Sequence, residues 1–485
     1  MKSSDWKGRI EEISCFFEGD DPVQGHYVRD NPPVRSMPPQ ERFDVVVVGG
    51  GISGLTAAHG LRDKSVLVLE KDRSPGGASK RKEWNGIKYT LGPTNIRLGY
   101  DVELKGKTFD FLTPFFEEVG VRWSRIREPT DALFIKGKLV KNFLGEGVDD
   151  LPFPKDTKAK FREAWAHLEA LFKSADCPIV PIEANGAKAL KQDRHSLGDL
   201  LHRFGPEVGK VMDLMSRSIF GGSAHEISAF AALSYLRGEF SEQYGAPGGT
   251  AVLAERLEST MKDRIRTRCI VAGIEQDGSS AYVTYLDEDH KPVTIGCRAV
   301  IYAASKHVAP KIFRDLPTKK VNALRRMKFD AYFVANLFCD GTVYDDSFGV
   351  YFEDATFTDL SVNDWMTRGG NKSGKQVLSL FCPRGVNGRP ELLSQPCGYW
   401  LPKILGDLEK HIPGSAAKIR EVEICRYGHH YAVPYPGFIT GDRKIIKKRY
   451  RRYLFAKDDT QGVPCLESAI WSGMKAAEEA RQKLR

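Results

Sequence analysis

"RYGHHYAVPYPG", Arg426–Gly437, places three tyrosines and two adjacent histidines in twelve positions near the end of the chain. Imidazoles can ligate a metal, move a proton or hydrogen-bond a ligand. Phenol rings can line a pocket or pack an interface between lobes. No cysteine or carboxylate stands at a ligand spacing from His429 and His430, and adjacent residues on a strand face opposite sides, so no metal site is expected. Wall and polar group remain: Tyr427 and Tyr431 for the first, His430 for the second, with plain packing as the alternative.

A second stretch, "FDVVVVGGGISGLTAAHGL", puts a β-branched run before Gly49-x-Gly51-x-x-Gly54 and an alanine-rich helical pattern after it. Strand, tight turn and helix form the context in which such glycines hold a dinucleotide. The first glycine permits the turn, the second lets a diphosphate reach the backbone, and the third lets the helix pack on the sheet. Free N–H groups and the helix dipole then hold the phosphates. The next strand, "SVLVLE", ends in Glu70, nineteen residues beyond Gly51, where a carboxylate can accept both hydrogens of an adenosine ribose. The motif does not say which dinucleotide binds.

Beyond Glu70 the sequence reads "KDRSPGGASKRKEWNGIKYTLGPTNI". Glu70, then Gly76-Gly77, a basic stretch and "GIKYTLGP" resemble the FAD fingerprint of the flavin amine oxidase superfamily. "GGASKRKEW" is most similar to the corresponding segment of spermidine dehydrogenase-like proteins. The resemblance covers residues 42–100, 244–310 and 445–482. It implies FAD, held without a covalent bond, on Gly49, Gly51, Ile52, Ser53, Gly54, Glu70, Lys71, Gly77, Ala78, Ser79, Gly92, Pro93 and Thr94. Arg81 is expected at the diphosphate, the backbone of Val271 at adenine, and Asp458 at the ribityl–phosphate region. A helix starting near Glu467, with Ser468 and Ala469, would aim its positive end at the flavin. Lys457 departs from the pattern, because it stands where a glycine is usual. "RYGHHYA" resembles the stretch preceding the last FAD element in spermidine dehydrogenase-like proteins, which makes Tyr427, Tyr431 and His430 part of a flavin-facing wall able to hold an amine or its cation. The oxidase branch holds a lysine near the flavin on the strand read here as "DAYFVANLF". That strand has none, and Lys328 lies just before it.

These residues need elements to position them. The fold expected is α/β: a Rossmann-type, NAD(P)-binding-like domain (42–100, 244–310 and 445–485) interleaved with an α+β substrate domain (101–243, mainly helical, and 311–444, mainly strand). Residues 1–41 read as a proline-marked surface arm carrying no chemistry. With 485 residues, 41% hydrophobic and 28% charged, the chain has the composition of a soluble globular protein. Val45–Leu61 is free of Asp, Glu, Lys and Arg but is short and holds five glycines, so it reads as strand and turn rather than membrane span. Nine cysteines without a C-x-x-C pair encode neither a disulfide framework nor a zinc knuckle, and with no signal-like start they suggest a cytoplasmic setting. The net charge is +9, with seven basic residues between Arg443 and Arg452. That run reads as a solvated connection; peripheral membrane contact is the less favoured alternative, and nothing resembles a nucleic-acid module.

The function expected is FAD-dependent transfer of hydride from a substrate C–H, next to an amine, to flavin N5. The partners are a small-molecule substrate and an electron acceptor. The alternatives are an FAD-dependent desaturase or isomerase of an apolar substrate, and a non-catalytic dinucleotide-binding protein.

Overall fold

The computed structural model describes residues 6–19, 22–96, 102–104, 107–367 and 374–485. Residues 97–100, at the end of the first FAD-like segment, lie outside that set.

Two sheets organise the chain. The first has the order Ile265–Arg266, Val66–Leu69, Glu41–Val48, Pro292–Tyr302, Ala281–Leu286, Ile270–Gln276, with Tyr453–Phe455 on the C-terminal half of Pro292–Tyr302. Its centre is parallel, with Val300–Tyr302 flanked by Val46–Val48 on one side and Tyr453–Phe455 on the other. The valine run is fully buried: Val45 and Val47 pack with the helices of one face, and Val46 and Val48 belong to a cluster with Ile274, Val283 and Tyr285 of the antiparallel strands. The Ile52–His59 helix and the last helix, Leu466–Leu484, pack together on one face. The strand, glycine turn and helix read from the sequence are thus in place.

The second sheet has eight strands, in the order Ser14–Gly19, Ile419–Tyr427, Ala331–Asp340, Lys375–Gly385, Asp359–Val362, Gly349–Phe352, Asp131–Ile135, Lys138–Lys141. Strand alternation sorts its side chains into two faces. Phe333 of one face packs on Trp400 of the Cys397–His411 helix. The other face carries Tyr332 opposite Tyr427, and Asp359 opposite both Tyr351 and Phe381. Over that face lie residues of two helices of the first insertion, Pro206–Phe220 and Ala229–Glu239, leaving a space between helices and sheet.

Two expectations are corrected. The N-terminal segment is no loose arm: Ser14–Gly19 is an edge strand parallel to Ile419–Tyr427, and Phe17 lies 3.7 Å beneath the Arg426 guanidinium. The Pro22–Asp30 helix brings His26 and Arg29 to the wall of the central cavity. Cys15 and Cys397 form a disulfide, although no framework was expected. Their separation of 382 residues leaves no local spacing from which to read the pair. No helix among the described residues is long and apolar enough to cross a membrane.

Candidate active site

The site begins at the carboxyl edge of the parallel strands. Gly49 has φ +102°, and a Cβ there would lie 3.0 Å from the Ala304 nitrogen. A Cβ on Gly54 would stand 1.9 Å from the Gly49 carbonyl oxygen, so the helix can approach its own turn only as glycine. Gly51 faces Gly77 with bare backbone on both sides, an ideal Cβ on Gly51 meeting only the Gly77 Cα at 3.8 Å. Glu70 is buried and held by the backbone: Gly50 N–H donates to Oε2 at 2.7 Å and Asp72 N–H to Oε1 at 2.9 Å.

A cavity of about 1030 Å³ opens from this turn. Near the glycines it is lined by Gly49, Gly51, Ile52, Ser53, Glu70, Lys71, Gly77, Ala78, Ser79, Pro93, Thr94, Asp458 and Ala469, all among the cofactor residues expected from sequence. The remaining expected residues fall elsewhere. Gly54 sits behind the loop. Gly92 is pressed against Ala78, its ideal Cβ only 2.3 Å from that carbonyl oxygen, and does not line the cavity. Val271 and Ser468 are buried off the lining. Arg81 turns away altogether: it forms a two-pronged pair with Glu255 at 2.8 and 2.5 Å and donates to the Pro247 carbonyl at 2.6 Å. A bidentate partner satisfies the guanidinium fork, so the expectation that Arg81 meets the diphosphate is corrected.

The segment the sequence singled out also reaches the cavity. Tyr427, His430 and Tyr431 all line it. The register places Tyr332 beside Tyr427, and His430 packs among the three tyrosines, 4.9 Å from Tyr332, 4.9 Å from Tyr427 and 3.9 Å from Tyr431 between ring centroids. Tyr427 donates its hydroxyl hydrogen to the Leu91 carbonyl at 2.7 Å, which fixes the ring. The histidines lie in the turn after the strand rather than on it, and they part company there. His429 stacks on His307 at 3.6 Å with rings 6° from parallel. Burial, with His429, Arg389 and Lys457 nearby, pushes the His307 pKa well below its ordinary value, so that imidazole is neutral. No group of three or more His, Cys, Asp or Glu side chains among the described residues is placed to hold a metal ion.

The cavity is also lined by Asp131, Glu239 and Asp359, three carboxylates that sequence reading missed. They come from Asp131–Ile135, Ala229–Glu239 and Asp359–Val362, segments remote in sequence and without a motif, so only the fold could gather them. Thr358 and Ser218 hydroxyls bond Asp359, and Gln243 donates to Asp131 Oδ2 at 2.6 Å. Burial and the charge of Glu239 push the Asp359 pKa up to about 7.

Cys465, which also lines the cavity, is engaged at the start of the last helix: its sulfur accepts from Ser468 N–H at 3.4 Å and lies 3.2 Å from the Ser468 hydroxyl. Burial raises its thiol pKa well above the usual range, so it is no ready nucleophile for covalent attachment. Lys328 is exposed, in a two-residue strand ahead of Ala331–Asp340, and is not on the lining. In the basic run, Arg443 is buried on Glu183 and Gln461, Lys447 also reaches Glu183, and Arg452 donates to the Arg298 and Gly278 carbonyls. Three of the seven are therefore tied down internally, while Lys444, Lys448, Arg449 and Arg451 are exposed.

A glycine turn and helix start at the carboxyl edge of a parallel sheet, opening on one cavity lined by tyrosines, define a dinucleotide-binding protein. The sequence pattern of flavin containing amine oxidoreductases matches residues 52–480, and the chain belongs to that family. It is an FAD-dependent oxidoreductase. Among curated proteins it is similar to oxidoreductase PigB of Serratia sp., 23% identical over 93% of this chain and 76% of that protein. It is also similar to flavin-containing amine oxidase A of Sus scrofa, 24% identical over 90% and 84%. Solved structures with the same fold include putrescine oxidase bound to putrescine (TM-score 0.70, 17% identity) and cyclohexylamine oxidase from Brevibacterium oxydans (TM-score 0.69, 18% identity), each covering 91% of this chain and 99% of the other.

Proposed function

We propose that the chain takes hydride from the carbon next to a cationic amine and passes the electrons to an acceptor other than oxygen. One observation carries the reading: the cavity that opens from the glycine turn is lined by the tyrosines and also by Asp131, Glu239 and Asp359, which gather around Tyr351. A cluster of buried and part-buried carboxylates favours a cation, and tyrosine faces hold an ammonium or a neutral amine without competing for its proton.

Bound FAD supplies the hydride acceptor. The rest falls to the chain. Gly49, Gly51, Ile52 and Ser53, with the helix N–H groups, would hold the diphosphate, and Glu70 would take the ribose. Gly77, Ala78 and Ser79 would offer backbone to the ribityl chain, with Asp458 and Ala469 also lining the cavity. Tyr427, Tyr431 and His430 flank the substrate carbon and exclude water. Asp359 accepts the proton that the substrate ammonium must lose before its lone pair can assist hydride departure, and a pKa of about 7 suits that exchange near neutrality.

The reading of the electron acceptor is supported by the strand beside the wall. Ala331–Asp340 carries no lysine, and Lys328 is turned to solvent. A dehydrogenase-like exit fits this better than oxygen activation. The test is turnover of a mono- and diamine panel with a dye acceptor and with oxygen in parallel, scored by aldehyde formation. Dye-dependent aldehyde with slow oxygen uptake supports the reading, and equal rates with oxygen remove the dehydrogenase half.

A further inference from the structure

Lys457 occupies a backbone conformation that belongs to glycine. Its φ of 110° and ψ of 155° lie in a region that L side chains scarcely enter, and only under strain. Such strain persists only where the surroundings impose it, and here they do. Lys457 N–H donates to Ser472 Oγ at 2.8 Å, its carbonyl accepts from Thr460 N–H at 3.0 Å and Thr460 Oγ1 at 2.6 Å, and those two hydroxyls meet each other at 3.2 Å. A glycine would satisfy the same backbone bonds without strain, so something about the side chain keeps lysine there.

Lys457 lines the cavity, its side chain is 23% exposed, and its Nζ lies 2.9 Å from Asp458 Oδ1 and 3.7 Å from Asp459 Oδ2. Asp459 is already matched: fully buried Lys306 holds it at 3.2 Å through Nζ and at 3.1 Å through its backbone N–H. Lys457 follows the Tyr453–Phe455 strand by one residue, on the same carboxyl edge as Gly49, with Pro292–Tyr302 alone between the two. Ala456 N–H bonds the Tyr302 carbonyl at 3.0 Å, and Ala304 abuts Gly49. A lysine stem is long enough to cross one strand toward the glycine turn. The cation that the sequence offered for this place, Arg81, is committed to Glu255.

We propose that Lys457 is a cofactor-binding residue of this chain, its ammonium group placed against the diphosphate of FAD, a task for which the backbone strain is retained. The inference rests on the cofactor and not on the substrate class, so it stands or falls separately from amine oxidation.

The test is equilibrium binding to the flavin-free protein, with FAD and with ADP, which carries the diphosphate without the flavin. Lys457→Gly is expected to weaken both at least tenfold and to flatten their dependence on salt, while the unfolding temperature of the flavin-free protein holds or rises because strain is relieved. Lys457→Met, which keeps the strain and the bulk, is expected to lose affinity equally without the gain in stability. Unchanged FAD binding in Lys457→Gly overturns the proposal. So does loss of FAD affinity with ADP binding intact, which would move the charge away from the diphosphate.

Discussion

Replacing Asp359 by asparagine tests the acidic cluster of the cavity at nearly constant shape. Burial and Glu239 hold its pKa near 7, so the carboxylate is about ten-elevenths ionised at pH 8 and about one-eleventh at pH 6. Its raised pKa means that the ionised form is the disfavoured one in the free protein, and a bound cation restores it. A hydrogen bond to a charged group contributes roughly 1.5–3 kcal/mol, or about 10- to 150-fold in affinity. At pH 8 the variant should therefore bind an amine about 10- to 150-fold more weakly, and at pH 6 that difference should shrink about tenfold. Wild-type affinity should climb as pH rises through 7, while the Asn variant stays flat. Linkage gives a second readout of opposite sign. A folded pKa above the unfolded one means that the native carboxyl loses stability as pH rises from about 4 to 7, so at pH 8 the ligand-free variant should unfold at the same temperature as wild type or higher. The assay is anaerobic titration of the flavin spectrum with a slowly reacting amine at several pH values. Equal affinity of both proteins at pH 8, or an inflection near 7 surviving in the variant, refutes the assignment.

Other expectations are as concrete. Gly54→Ala, with its Cβ 1.9 Å from the Gly49 oxygen, should force the helix off the turn and abolish FAD uptake, measured as flavin retained after desalting. Tyr427→Ala and Tyr431→Ala should leave FAD affinity within a few-fold yet slow flavin reduction by about tenfold, consistent with 0.5–2 kcal/mol per cation-holding ring; normal reduction in both would make the segment packing only. Lys306→Met leaves buried Asp459 without the ion pair measured at 3.2 Å and should cost about 3–5 kcal/mol in denaturant unfolding.

The fold was legible where local chemistry and tertiary need coincide. Gly49, Gly51, Gly54 and Glu70 announce strand, turn, helix and acid because each glycine has a steric reason within a few residues. Tyr427, His430 and Tyr431 were singled out by resemblance and by closeness in sequence, at the end of one strand and just beyond it. The carboxylates were not. Asp131, Glu239 and Asp359 owe their meeting to strand order and to a helix laid across the sheet, and none carries a flanking signature. Arg81 misled because a basic residue beside a glycine pair says nothing about Glu255, which lies 174 residues on. The N-terminal strand was missed since "SCFFEG" is short and half-polar, and its stability comes from pairing with Ile419–Tyr427 and from the Cys15–Cys397 bond.

The account turns on whether an amine delivers hydride at this cavity. Rapid anaerobic mixing of the FAD-loaded protein with mono- and diamines, following the oxidised-flavin absorbance, tests that directly. Bleaching whose rate saturates with amine concentration, and which Asp359→Asn weakens at pH 8, is the predicted result. A flavin that dithionite reduces but no amine in the panel does would contradict it.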